Sequence, residues 1–303
     1  MNKQYQNICD KVTKKVISFL DEGVIPWKKP WKGGALNMPR SASTKKVYRG
    51  TNLGLLASCG YNSPWWMTFK QAQNLGGKVL KGSKSMPVVY WKFHDPKPCY
   101  KCSGGNLDCS VCDGTGKYTP FPSVFYSNVF NADQVEGLPE KYNRIITKED
   151  DLNEFENIKS CDDIINNYQD SPKIYHDQND RCFYRPSSDE VHMVKPEKFI
   201  SDEEYYSTLF HELIHSTGHA KRCNRDGVTK GGFFGSHEYS KEELVAELGS
   251  TFLCGIAGIE RDEVIKNSAS YISSWKSKLS KNTDWIMWAG SRSSKACEHI
   301  LNK

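Results

Sequence analysis

Apolar residues near the start of the sequence recur at helical spacing. The repeat runs from Ile8 to Phe19 and is followed by the stop signal Gly23, which predicts a helix from about residue 5 to Glu22. Elsewhere in the first half, the pattern predicts two short helices and two strands: 49–58 and 68–75, then 86–93 and 121–130. This part of the chain is therefore predicted to be a small mixed α+β domain.

The second half begins with short β patterns and then turns helical. Three short strands are predicted over 173–176, 182–186 and 191–193. Ser201 can cap a helix that reaches Thr217, and Ser240 can begin another that ends near Ile256. The last third is apolar at helical spacing around Trp275, Trp285, Ile286 and Trp288, which we interpret as core packing. The predicted fold class is α+β.

Length and composition indicate a globular protein with two domains. The chain has 303 residues, 38% hydrophobic and 25% charged, enough for two cores. We place the domains at 1–145 and 146–303, with the polar, acidic segment 133–160 leading from one to the other. No apolar run approaches the roughly 20 residues of a membrane span, and no secretory signal begins the chain. We expect a cytoplasmic protein without membrane contact.

The charge is unevenly distributed along the chain. Residues 1–120 carry 19 Lys and Arg against 6 Asp and Glu, a formal charge of +13, whereas the remainder carries 22 against 30. Such an asymmetry predicts a polyanion-binding first half and a second half with another task.

The sharpest chemical motif is His211-Glu212-x-x-His215 in the first predicted helix after the short strands. Two histidines four residues apart share one face of a helix, where both can bind one zinc ion. Glu212 would then act as a general base toward a zinc-activated water. The alternative is a helix with two histidines that pair with surface groups.

A third ligand is expected from the following helix, where Glu243 and Glu247 share a face. We place Glu243 first and Glu247 second, and either could instead orient a ligand histidine. The alternative is a capping box of Ser240 and Glu243 with a solvated Glu247. A longer histidine-only zinc pattern would need its third histidine at position 221, which is Lys221, and His219 comes two residues too early.

A second metal site is predicted from cysteine spacing. Two Cys-x-x-Cys pairs are separated by six residues: Cys99 and Cys102, then Cys109 and Cys112. Four thiolates so placed can enclose a structural zinc ion, which leaves no open coordination position for catalysis. The glycine-rich runs after Cys102 and Cys112 resemble the cysteine repeats of DnaJ-type co-chaperones, and this resemblance implies zinc, not chaperone function. We therefore expect two Zn²⁺ ions and an insertion over 96–118.

The basic half also mixes aromatic residues with cations. Single-strand binders combine a cationic groove with aromatic faces on which unpaired bases stack. Trp27 and Trp31, on a proline-containing loop, are the expected exposed stacking platform. A solvated surface over an aromatic core would give the same composition. The candidate DNA-binding residues are Trp27, Lys28, Lys29, Trp31, Tyr48, Arg49, Lys70 and Lys84.

Several of these segments together resemble the ArdC-type antirestriction proteins of conjugative elements. The similarity lies in 23–31, 48–52, 129–134, 211–219 and 242–247, in the same order along the chain. It implies a single-stranded-DNA-binding domain, also found fused to some plasmid primases, and a zincin-like metallopeptidase domain. It implies further a role in protecting incoming mobile DNA from host restriction. The cysteine insertion departs from the usual pattern.

Carried over to this sequence, the resemblance implies His211, His215 and a glutamate of 242–247 as metal ligands, with Glu212 as the catalytic carboxylate. The expected partners are single-stranded DNA and a protein substrate such as a restriction protein or another DNA-bound protein. One alternative is a DNA-tethered protease of the SprT-like type, although those proteases use a third histidine. Another is a binding-only protein that coats DNA, against which the intact Glu212 argues, because a structural site needs no general base.

Overall fold

The computed structural model describes residues 3–27, 37–92, 94–102, 109–112, 115–120, 123–143, 154–230, 236–259 and 269–303. The helices are α1 Lys3–Asp21, α2 Gly50–Ala57, α3 Phe69–Asn74, α4 Glu140–Asn143, α5 Glu154–Asn167, α6 Asp202–Ser216, α7 Asp226–Thr229, α8 His237–Ala257, α9 Ala269–Lys281 and α10 Trp285–Ile300. The strands are β1 Arg40–Ser41, β2 Trp65–Thr68, β3 Lys78–Val79, β4 Met86–Lys92, β5 Lys97–Pro98, β6 Lys117–Tyr118, β7 Ser123–Asn131, β8 Val135–Glu136, β9 Lys173–Gln178, β10 Phe183–Arg185 and β11 Glu190–Val194. The predicted α+β class is confirmed.

The first half is built on a four-stranded sheet in the order β1-β2-β7-β4. Its long antiparallel pair runs in register from Met86 opposite Val129 to Lys92 opposite Ser123. The β5–β6 pair follows beyond that end and carries the cysteines, so the predicted insertion extends a long hairpin. The strands and short helices predicted for this half are present, with bounds that differ by a few residues.

The second half places two long helices next to a small sheet. The sheet has the order β10-β11-β9, which makes β10 an edge strand beside α6. Ser201 caps α6 as predicted, because its hydroxyl accepts a hydrogen bond from the Glu204 amide. Helix α8 begins three residues earlier than predicted: Ser236 is its cap, and Ser240 is a buried residue inside the helix. The capping-box interpretation of Ser240 is therefore wrong.

The two halves share their largest core. Buried residues of this cluster extend from Ile8 to Ile300, because α1 packs on α9 and α10 while α2 packs on α8 and α10. Gly290 lies where α10 meets α2. A Cβ at this position would be 2.1 Å from the Thr51 hydroxyl oxygen, so only glycine fits there. The expectation of two separate cores does not hold for the described residues. Residues 1–145 expressed alone would expose a broad apolar surface.

Helix α5 corrects the interpretation of residues 133–160 as a polar connection, because it begins within that segment. The second half of this helix buries Cys161 and Ile164, and Tyr168 just after it is also buried. A few apolar positions in an acidic segment become a helix face only when a partner surface is present, and here α5 packs on α6, α8 and α10.

Among the described helices, none has the length and apolar character that crossing a membrane requires.

Candidate metal centre and its surroundings

Three potential ligands converge between α6 and α8. The Nε2 atoms of His211 and His215 are 3.1 Å apart, as the spacing of four residues on one helix dictates. The Glu243 carboxylate lies 3.5 Å from His211 Nε2 and 3.4 Å from His215 Nε2. The predicted pair and the first-choice glutamate are thus brought together.

This donor set fits a divalent cation with an open coordination side. Two imidazoles and one carboxylate are the ligands of many catalytic zinc sites. The three side chains line a cavity of about 500 Å³ that also reaches Tyr184 and Tyr239. A closed structural site would leave no such space beside the ligands.

The electrostatics of the cluster favour a cation. Burial lowers the pKa of His215, but hydrogen bonds with Glu242 and Glu243 outweigh this effect and raise that pKa to about 10. Burial raises the pKa of Glu243, yet hydrogen bonds from His211 and His215 bring that pKa well below its usual range. The carboxylates of Glu242 and Glu243 therefore favour a positive charge at the histidines, and a metal ion can replace the proton that they attract.

Glu212 lies where a general base is needed. It is buried beside the two histidines and lines the same cavity. The backbone amide of Tyr184, on the edge strand β10, donates a hydrogen bond of 2.8 Å to Glu212 Oε2. One carboxylate oxygen is thereby fixed, which orients the other.

A second network holds that edge strand against α6. The Arg222 guanidinium donates to the Ser216 carbonyl at 2.8 Å and to Asp189 Oδ2 at 3.1 Å. The Tyr184 hydroxyl donates to Asp189 at 2.8 Å. The strand that positions Glu212 is thus tied to the C-terminal end of the ligand helix.

Sequence reasoning missed the partners of His215. Its Nδ1 lies 3.4 Å from Glu242 Oε1, and Glu242 is itself paired with the buried Arg225, whose Nε lies 3.0 Å from Oε2. Arg225 also donates to the Ile214 carbonyl at 2.7 Å and to the Thr217 hydroxyl. Carboxylate–histidine–metal arrangements of this kind fix the tautomer of the ligand. No spacing signal distinguishes Glu242 in a helix that contains four glutamates.

Glu247 and His219 lie outside the cluster. Glu247 accepts a hydrogen bond of 3.2 Å from the Tyr271 hydroxyl, and neither it nor His219 belongs to the group of converging ligand atoms. His219 follows the end of α6, where its Nδ1 accepts from the Lys221 amide. Glu247 is therefore not placed as a ligand, because it does not reach the histidines. It does not orient a histidine either, because Glu242 occupies that position beside His215.

The four predicted cysteines also converge. The sulfur atoms of Cys99 and Cys109 are 3.7 Å apart and those of Cys102 and Cys112 are 3.5 Å apart. All four ligand atoms lie within 4.8 Å of one another, and three of the cysteines are buried. Such distances suit four thiolates around one tetrahedral ion.

The structure places the candidate DNA-binding residues in different environments. Trp27 is fully buried, and its indole N–H donates to the Tyr271 hydroxyl at 3.2 Å. Its expected role as an exposed stacking platform is therefore wrong, because the ring packs on Trp275 in the shared core. Lys28, Lys29 and Trp31 lie outside the described residues.

The remaining candidates are described by the structure. Tyr48 is half-buried, and Arg49 forms an exposed ion pair with Glu298. Lys70 and Lys84 are exposed, and neither makes an ion pair within the described part of the chain. These two lysines remain available to bind an anion.

Comparison with protein families gives two matches along the chain. The family model of the N-terminal domain of the anti-restriction factor ArdC matches residues 6–108. The model of a zincin-like metallopeptidase matches residues 161–292. The two matches coincide with the basic half and with the half that contains the His211 cluster.

Individual relatives extend over nearly all of the chain. Two DNA primases named TraC from Escherichia coli are 33% and 36% identical and cover 96% of the chain, which spans only 27% and 19% of their lengths. The uncharacterized protein y4eC of Sinorhizobium fredii is 29% identical over 94% of this chain and 89% of its own length.

Among solved structures, the metal-free antirestriction protein ArdC of plasmid R388 superposes with a TM-score of 0.69 and 30% identity, covering 99% of this chain and 97% of its own. The Mn(II)-bound structure of that protein gives the same TM-score and identity, with coverage of 97% for both chains. That protein therefore binds a divalent ion, and its fold matches nearly all of this chain.

Proposed function

Because this chain belongs to the family of the antirestriction protein ArdC, we propose that it binds single-stranded DNA of a mobile element and protects it from host restriction. We propose further that it carries a zinc centre of the metallopeptidase type. The single observation that carries the second proposal is the convergence of His211, His215 and Glu243 beside the buried Glu212.

The donor set suggests the chemistry of the centre. A divalent ion bound there would acidify a water molecule and polarise a peptide carbonyl. Glu212, held by the Tyr184 amide, would take up the proton of that water and deliver it to the departing amine. Glu242 and Arg225 would hold His215 in the tautomer that presents Nε2. The substrate class is a peptide bond in a DNA-bound or restriction protein.

The charge of the two halves suggests that DNA binding belongs to the first half and the metal centre to the second. The excess of cations lies in residues 1–120, and the family matches end at 108 and resume at 161. We therefore keep a functional boundary at 145 and 146, although the halves share a core.

A glutamate at the third ligand position argues against close kinship with SprT-like proteases, which use a histidine.

We expect about two zinc ions per chain, one in each cluster. Glu243→Ala should reduce the count to about one, and so should Cys99→Ser combined with Cys102→Ser, since each change removes ligands from one site only. The matched control is Glu247→Ala, one helical turn further along α8, which should retain both ions. Elemental analysis of the purified chains gives the counts. Two ions in Glu243→Ala and one in Glu247→Ala would reverse the assignment.

The antirestriction function itself is tested by plasmid transfer. A plasmid that encodes the wild-type chain should enter a restricting host more efficiently than the same plasmid without the gene, and the two should enter a non-restricting host equally. The recipient without restriction is the control for effects on conjugation in general. Equal transfer of both plasmids into the restricting host would contradict the proposal.

A further inference from the structure

An exposed phenylalanine directly follows β2, a central strand of the N-terminal sheet. Phe69, the first residue of α3, is 51% exposed, and its ring centroid lies 6.4 Å from that of Phe130 on β7. Leu80, just after β3, is 43% exposed. A contiguous exposed apolar patch rimmed by polar residues marks a contact site.

Hydrogen bonds hold the segment that contains Leu80 against the turn that follows β7. The Leu80 amide donates to the Gln134 carbonyl at 2.9 Å, and the Gln134 side chain donates to the Lys84 carbonyl at 3.0 Å. Gln134 closes the short turn that directly follows β7. The segment 80–84 therefore lies against this turn, and Met86, two residues later, pairs with Val129, the neighbour of Phe130.

Cations outnumber acids in the segments that carry these apolar groups. Lys70, Lys81 and Lys84 are all exposed, and none of them forms an ion pair within the described ranges. The two nearby acids are already engaged: Glu136 pairs with Lys78 at 3.5 Å, and Asp133 accepts the Asn62 amide at 2.8 Å. The local charge is positive and complements an anionic partner.

We propose that this face binds single-stranded nucleic acid, with a base stacked on Phe69. We call it the Phe69 surface, which comprises Phe69, Lys70, Leu80, Lys81, Lys84 and Phe130. An exposed ring beside lysines offers a flat stacking face and phosphate contacts, which together characterise single-strand binders. Bases in a duplex are stacked on each other and cannot reach such a ring. The proposal rests on the proposed DNA binding and assigns the stacking role that the buried Trp27 cannot fill.

The stacking role is tested with the full-length chain and a fluorescent oligodeoxynucleotide. Phe69→Leu keeps an apolar side chain but removes the aromatic face, and it should weaken single-strand binding by roughly 5- to 150-fold. Phe69→Tyr should bind as the wild type does. The matched control is Ile200→Ala, an exposed apolar side chain of the second half, which should leave affinity unchanged. Photocrosslinking to iodinated thymidine analogues should label the peptide that contains Phe69.

The phosphate contacts are tested by salt dependence. Lys70→Gln with Lys84→Gln should reduce the slope of log affinity against log salt by about 1.4, since each single-strand contact contributes about 0.7. Lys173→Gln with Lys195→Gln, the same charge change in the second half, should not alter the slope.

The outcomes separate the two proposals. A wild-type chain that binds no single strand would overturn the proposed DNA binding together with the Phe69 surface. A wild-type chain that binds, with Phe69→Leu equal to Phe69→Tyr, would overturn the Phe69 surface alone. Equal losses for duplex and single strand in the lysine variant, without a Phe69 effect, would identify a generic basic surface and also overturn it.

Discussion

Glu212→Gln is expected to lower peptide cleavage by the purified chain by about 10²-fold or more, the contribution of a general base. Glutamine retains an oxygen that can accept the Tyr184 amide, so the cavity keeps its shape, but an amide cannot take up a proton. Both metal ions should remain, because Glu212 is not among the converging ligand atoms. Digestion of an unfolded protein such as casein, with and without chelator, measures the effect.

The control is Glu203→Gln, the same change near the start of α6 and far from its ligand pair, which should cleave as the wild type does. Wild-type cleavage by Glu212→Gln would place the general base elsewhere.

The plasmid transfer assay then separates the mechanisms of protection. Full protection by Glu212→Gln favours DNA coating as the cause, whereas lost protection in a folded, metal-loaded variant favours proteolysis.

Arg225→Ala is expected to lower the free energy of unfolding by about 3–5 kcal/mol, because it leaves the Glu242 carboxylate buried without its ion-pair partner. Glu242 and Arg225 are only 3% and 6% exposed, so water cannot replace the lost contacts. Urea unfolding of the full-length chain measures the change. Arg185→Ala, which breaks a long and partly exposed ion pair with Glu190, is the matched control and should change stability by about 0.5 kcal/mol or less.

The same substitution should also weaken metal binding, by about 10- to 100-fold, because Glu242 no longer holds His215. The double variant Arg225→Met with Glu242→Gln removes both charges, so it should recover much of the stability while metal affinity stays low. A loss below about 1 kcal/mol in Arg225→Ala would show that the pair is hydrated in solution. Recovery of metal affinity in the double variant would show that the Arg225–Glu242 pair does not position His215.

The sequence was most informative where the chemistry depends on near neighbours. The spacing of His211 and His215 requires only one helix, and that of the four cysteines requires only two short turns, so both groups converge as predicted. The same holds for the bounds of α1, whose stop at Gly23 is a local signal with positive φ. Glu212 belongs to the same short motif, and the family resemblance, carried by several separate segments, implied the same set of site residues.

Tertiary packing decided what no local pattern could. Glu243 and Glu247 share a helix face in the sequence, yet the crossing of α6 and α8 places Glu243 at the histidines and Glu247 at Tyr271. Trp27 was expected to be exposed because cations surround it in the sequence, but helices more than 200 residues away bury it. Local spacing determines which side chains share an element. Only the packing of distant elements determines which face is buried, since that depends on apolar surfaces that the local sequence does not contain.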